Sequence, residues 1–111
     1  MKTSLRKALA ATAISILAAG AAWAESIKIG EMSSYSSSPQ STEAYRNGWQ
    51  LAVEQINAAG GVMGKTLEVV SRDDTGKPDA ALRAAQELVT NEGVVLLTGT
   101  YLSNVAVAVS D

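Results

Sequence analysis

The segment Thr98-Gly99-Thr100-Tyr101-Leu102-Ser103-Asn104 is where residue types and spacing in this chain most suggest chemistry. It follows the apolar run Val94-Val95-Leu96-Leu97 and precedes a helix-forming stretch, so Ser103 falls near a helix N-terminus. Exposed backbone N–H groups there, with the Ser103 hydroxyl, suit a carboxylate, and Thr100 and Tyr101 stand beside it as candidate ligand contacts. The same serine equally suits a helix cap, and both roles stay open at this level.

A second hydroxyl-rich stretch runs from Glu31 to Ser41, with Ser33, Ser34, Ser36, Ser37 and Ser38 reading either as a wet binding wall or as a flexible connection. Tyr35 is the residue there that could stack on a ligand, the alternative being an exposed loop tyrosine. Ser41, at the far end, is counted with the ligand-binding candidates and also suits, like Thr42, the N-cap of the next helix.

Two further motifs point away from chemistry. Adjacent carboxylates at Asp73 and Asp74 could hold a hard cation, but no second oxygen cluster accompanies them and neighbouring strand residues face opposite ways, so turn formation and loop capping are expected instead of a metal. Gly60-Gly61-Val62-Met63-Gly64-Lys65-Thr66 imitates a phosphate loop, yet it follows a helix and precedes a strand, and Ala59 stands where the motif needs glycine. No cofactor is expected. The chain has no histidine and no cysteine, which removes the commonest general base, the commonest metal ligand and any disulfide. Nor is there a Gly-x-Ser-x-Gly elbow.

The elements that position these segments follow from apolar periodicity. Ile27 to Gly30 reads as a strand. Tyr45, Trp49, Ala52, Val53 and Ile56 share a helical face, which predicts a helix from about Thr42 to Ala59, stopped by Gly60-Gly61. Thr66 to Ser71 reads as a second strand. Asp79 is expected to cap a second helix, with Ala81, Ala85, Leu88 and Val89 on one face and Asn91-Glu92-Gly93 at its close. Val94 to Leu97, uninterrupted and apolar, reads as a third strand buried on both faces, and a third helix begins near Asn104 with Val105, Ala106 and Val109 apolar. Alternating strands and helices of this kind predict an α/β fold, a parallel sheet with helices on both faces. Right-handed crossovers place the first strand between the other two. Ligands of such sheets bind beyond the carboxyl ends of the strands, where the first and third loops become neighbours.

Residues 1–24 have the form of an export leader: a basic start at Lys2, Arg6 and Lys7, an apolar stretch from Ala8 to Ala19, and a small-x-small end at Ala22-Trp23-Ala24, which predicts cleavage after Ala24. The apolar run is shorter than the ~20 residues a membrane span needs. Without the leader, residues 25–111 hold six basic and eleven acidic side chains, a net −5. With no Lys/Arg run, neither nucleic acid nor an anionic membrane is an expected partner. An exported soluble product, periplasmic in location, is expected. The last helix looks too short to cover its share of the sheet, so residues 25–111 are read as the first part of a larger lobe.

Several segments together resemble a known family. Ile27-Lys28-Ile29-Gly30, then Tyr45 to Gly64 with its Ile56-Asn57-Ala58-Ala59-Gly60-Gly61 turn, then Arg72-Asp73-Asp74, are similar to the leucine/isoleucine/valine-binding proteins, the type I periplasmic solute receptors of ABC importers. The resemblance implies two α/β lobes closing over a small ligand and delivering it to a membrane permease. It implies that Ser103 and neighbouring backbone groups grip a ligand carboxylate. A branched-chain amino acid is the default ligand. Ser33-Ser34-Tyr35-Ser36-Ser37-Ser38-Pro39 departs from the family's usual first turn, so another amino acid, an amide or an aromatic carboxylate also fits. The competing readings are a sensor domain of the same fold and a secreted α/β enzyme whose catalytic residues lie elsewhere.

Overall fold

The computed structural model describes residues 25–111. The expected leader, residues 1–24, lies outside the described residues. Six elements follow one another: β1 (Ser26–Ser33), α1 (Pro39–Ala58), β2 (Thr66–Asp73), α2 (Pro78–Thr90), β3 (Leu96–Gly99) and α3 (Ser103–Ser110). The strands form one parallel sheet in the order β2-β1-β3, the central β1 predicted by right-handed crossovers.

Alternate β1 residues face opposite layers. A Cβ on Gly30 would meet Leu88 of α2, whereas Glu31 is linked through Tyr35 to Trp49 of α1, so α1 and α2 cover opposite faces. The core lies on the α2 side, where Met32, Ala84 and Ala85 pack with Leu97 and Val109. Ala81, Ala84, Ala85 and Leu88 are the buried stripe of α2, at the helical spacing.

Several expected boundaries move. β1 continues three residues beyond Gly30, because pairing with β2 persists to Ser33 opposite Asp73. α1 starts at Pro39, whose fixed φ and missing N–H suit a first helical position. Ser41 and Thr42 are therefore not N-caps; Ser38 holds that place without a side-chain cap, and Thr42 donates its hydroxyl to the Ser38 carbonyl at 2.9 Å. Likewise Lys77, not Asp79, is the N-cap residue of α2, with Pro78 opening the helix. Val89 falls off the buried stripe and is 52% exposed.

The expectation for the third strand needs the largest correction. β3 begins two residues later than the apolar run, and it is not buried on both faces: Val95 is 70% and Leu96 49% exposed, while Leu97 packs on the core. Val94, buried, donates its N–H to Leu88 at the end of α2 and so belongs to the connection. On the core side Leu97 of β3 packs together with Val109 of α3, and on the other side Tyr45 of α1 reaches Thr98.

α1 is attached in an unusual way, since Thr42 is its one buried residue. Asn57 serves as a false strand partner for β2: its Nδ2 donates to the Leu67 carbonyl at 2.9 Å and its Oδ1 accepts from the Leu67 N–H at 2.8 Å. Asn57→Ala is expected to cost about 1–3 kcal/mol, the loss on leaving backbone groups unpaired, read as a lower urea midpoint with unchanged m. After Asn57 the chain turns sharply. Val62 and Lys65 bond each other's backbone, and a side chain on Gly61 would run into the Lys65 carbonyl. The phosphate-loop lookalike is thus a tight turn feeding β2.

Candidate functional site

At the carboxyl ends of β1 and β3 lies a cavity of about 210 Å³ lined by Ser33, Tyr45, Thr98, Gly99 and Tyr101. This is smaller than the ~300–1,000 Å³ of a complete small-molecule site, as expected if another surface closes over it. The strands contribute Ser33, Thr98 and Gly99, and α1 contributes Tyr45. Burial raises the Tyr45 hydroxyl above its usual range, a hydrogen bond with Thr98 works against that, and the charge of Glu31 adds to it. Tyr101 is half-exposed and forms the third side.

The five residues expected from sequence to touch ligand do not all gather here. Tyr101 lines the cavity. Ser103, two positions further along, is the first residue of α3 and is exposed; Leu102 is the N-cap, so the capping role for Ser103 does not hold. Val105 and Ala106 are the first α3 residues whose N–H groups reach a carbonyl, that of Leu102, and the N–H groups of Ser103 and Asn104 have no partner among the described residues. An unpaired hydroxyl and two unpaired N–H groups at a helix N-terminus are what an anion would need.

Thr100 turns the other way. It has a positive φ of 62°, bonds its hydroxyl to the Gly99 carbonyl, and lines a space between Met32, Leu97 and α3. Ser41 sits exposed in the first turn of α1, away from the cavity. Tyr35 is not an exposed loop tyrosine: it is only 7% exposed, donating its hydroxyl to Glu31 at 2.9 Å and accepting from the Trp49 indole at 3.1 Å.

The serine-rich loop is likewise a fixed turn. Asp73 accepts from the N–H groups of Ser36 and Thr75, and Asp74 from the Ser34 hydroxyl at 2.7 Å and the Gly76 N–H at 2.8 Å. Burial pushes the Asp73 carboxyl up, but hydrogen bonds from Ser36, Thr75 and Tyr35 outweigh it and hold the group below the usual carboxylate value. Both acids therefore build the loop. No group of three or more His, Cys, Asp or Glu side chains that could hold a metal ion occurs among the described residues.

Sequence reasoning missed two contributors. Tyr45 reads as part of an apolar stripe, yet it is 39% exposed and walls the cavity. Glu31 reads as the first polar residue of a loop, yet it is 1% exposed, with Oε2 accepting from Ser71 at 2.6 Å and Oε1 from Tyr35. Desolvation raises the Glu31 carboxyl above its ordinary 4.5, against the lowering effect of those two bonds and of Arg46.

Residues 26–111 match the family described as periplasmic binding protein. A Leu/Ile/Val-binding protein homologue of Brucella suis is 38% identical over 109 residues, 96% of this chain and 27% of the relative. Among solved structures, the branched-chain amino acid transporter substrate-binding protein LivJ of Streptococcus pneumoniae, in complex with isoleucine, superposes with a TM-score of 0.72 at 37% identity, covering 77% of this chain and 25% of that one. A solute-binding protein of an ABC transporter from Rhodopseudomonas palustris, in complex with 3,4-dihydroxybenzoic acid, gives a TM-score of 0.66 at 30% identity, covering 75% and 23%. The chain spans less than a third of the length of the relatives it matches.

Proposed function

This chain belongs to the periplasmic binding protein family, in its branched-chain amino acid ABC transporter branch, and on that premise we propose that it is the first part of the N-terminal lobe of an extracytoplasmic solute receptor serving an ABC importer. The observation that carries the proposal is the cavity at the strand ends with the open α3 N-terminus close by in sequence. In this reading a solute carboxylate takes the N–H groups of Ser103 and Asn104 and the Ser103 hydroxyl. Tyr45 and Tyr101 flank the rest of the solute, and a second lobe closes over it. Isoleucine and 3,4-dihydroxybenzoic acid, held by two of the related structures, share a carboxylate. The solute class is accordingly a small carboxylate, with an amino acid as the default.

The remaining assignments follow the same reading. Residues 1–24 are the cleaved leader, residues 25–111 the lobe segment, the compartment the periplasm and the partner a membrane permease. No helix among the described residues is long and apolar enough to cross a membrane. In this reading the protein binds its solute without transforming it, as the descriptions of its relatives as binding proteins support. The buried Glu31 carboxylate and Asp74 Oδ1 accept hydrogen bonds that shape the sheet and loop, while Asp74 Oδ2 is buried without a partner among the described residues.

Thermal-shift screening of the full-length protein against L-isoleucine and 3,4-dihydroxybenzoate tests this, since a solute at 100 times its Kd adds about 2.7 kcal/mol. No stabilisation by either, or by other small carboxylates, would count against the receptor role. Ser103→Ala is expected to weaken binding by about 1–3 kcal/mol, roughly five-fold to over a hundred-fold in Kd by calorimetry. Because Ser103 caps nothing, the fold should be nearly unaffected. An unchanged Kd removes Ser103 from the site.

A further inference from the structure

Glu31 stands in the sheet between Ser71 of β2 and Thr98 of β3, which are its register partners on either side. Its carboxylate is the centre of a chain of hydrogen bonds crossing four parts of the fold. Ser71 donates to Oε2 at 2.6 Å, Tyr35 from the first loop donates to Oε1 at 2.9 Å, and Trp49 of α1 donates its indole N–H to the Tyr35 hydroxyl at 3.1 Å. The Arg46 guanidinium lies 3.7 Å from the centre of the Tyr35 ring and closes the chain from the helix side.

None of these groups lines the cavity, but Glu31 and Trp49 neighbour residues that do. Thr98 is opposite Glu31, Ser33 is the next β1 residue on the same face, and Tyr45 is one helical turn before Trp49. The arrangement matters because α1 has almost no apolar burial to hold it in place. Asn57 fixes its far end; the Glu31 chain fixes the end that carries Tyr45.

We propose that Glu31 is a positioning residue of the solute site, acting through Tyr35 and Trp49 to hold the Tyr45 wall of α1 against the ends of β1 and β3, so that affinity depends on a carboxylate the solute does not touch. The proposal rests on reading the cavity as the solute site. Charged and titratable groups near Glu31 come from three parts of the fold: Arg46 and Tyr45 of α1, Asp74 beyond β2, and Tyr35 of the first loop. Hydrogen bonds from Ser71 and Tyr35 are strongest to the ionised carboxylate, so protonation slackens the clamp. Fold stability moves the other way. A folded-state pKa above 4.5 makes the contribution of Glu31 fully present below that value, and it is lost as pH rises through the folded pKa. A purely structural carboxylate would make affinity follow stability; a positioning one makes them diverge.

The test uses the full-length protein. The Trp49 indole N–H and the Tyr45 amide are followed by NMR without solute from about pH 4 to about pH 8, a range that brackets the carboxylate values of interest, in wild type, Glu31→Gln and Tyr35→Phe. Both signals should move together in the wild type, lose that transition in E31Q, and become uncoupled at Tyr45 in Y35F. Affinity for L-isoleucine or 3,4-dihydroxybenzoate, whichever the wild type binds, should fall about ten-fold in Y35F, equivalent to about 1.4 kcal/mol, and should fall in wild type on the acid side. A Tyr45 signal indifferent to pH and to both substitutions, or a wild-type Kd in Y35F, overturns the proposal. The wild-type titration decides the coupling even if a variant fails to fold. Coupled signals with no binding of any small carboxylate would instead sink the receptor reading and leave Glu31 as a clamp on α1.

Discussion

Replacing Gly99 with alanine is expected to lower the unfolding free energy by about 3–5 kcal/mol, a large part of the ~5–15 kcal/mol that typical domains possess, and, on the proposed receptor reading, to abolish solute binding. Gly99 ends β3 at a φ of 104°, which side-chain-bearing residues rarely adopt. A Cβ there would run into the carbonyl of Met32, its register partner on β1, and that oxygen already accepts the Thr100 N–H at 2.7 Å. The atoms met are the backbone O, C and N of Met32, so no rotamer change relieves the obstruction. The strand end must move, and with it Thr98 and Tyr101, two walls of the cavity. Urea titration of G99A, beside Gly48→Ala as a control, measures the effect. Gly48 lies inside α1 with nothing near its absent side chain, so alanine there should stabilise by about 0.5–1 kcal/mol. Equal midpoints for the two variants would contradict the argument.

The order β2-β1-β3 is legible in the sequence, since it follows from alternating periods and crossover handedness, but the close approach of Gly99 to β1 is not, because Gly99 reads as part of the loop after the third strand. Strand limits were less legible, because they depend on polar residues being buried. Hydropathy ends β1 at Gly30, yet Glu31 and Ser33 continue it, the glutamate satisfied by Ser71 from the neighbouring strand. For β3 the error is opposite: Val94 and Val95 look like strand, but Val94 closes the turn after α2 and the strand runs on through Thr98 to Gly99.

The site divides along the same line. Loops at strand ends are topological and legible, and Tyr101 lines the cavity that forms there. Tyr35 and Glu31 depend on who lies across the sheet, which spacing along the chain does not encode. Asn57 is an intermediate case. The Ile-Asn-Ala-Ala-Gly-Gly segment is recognisable as a pattern, but only the paired bonds to Leu67 explain why it needs an asparagine.

Leu88→Ala is expected to cost about 2–5 kcal/mol, the range for emptying a fully buried leucine site, and its size can be tied to a particular crowding. A Cβ built on Gly30 would stand 2.7 Å from Leu97 Cδ2, 3.0 Å from Val94 Cγ2 and 3.2 Å from Leu88 Cδ1. Two of the three are ends of leucine side chains that can give, while Val94 is branched at Cβ and stiffer, so Gly30→Ala alone should cost about 1–3 kcal/mol through overpacking and leave the backbone alone. Removing the Leu88 side chain gives Leu97 and Val94 room to retreat, and the added methyl then fills part of the cavity. The double variant should therefore be more stable than the sum of the singles by about 1 kcal/mol or more, a coupling typical of side chains in contact. A urea-based double-mutant cycle measures it. Strict additivity would mean that Gly30 is required by the backbone of β1, and that the α2 face of the sheet is not packed through this contact.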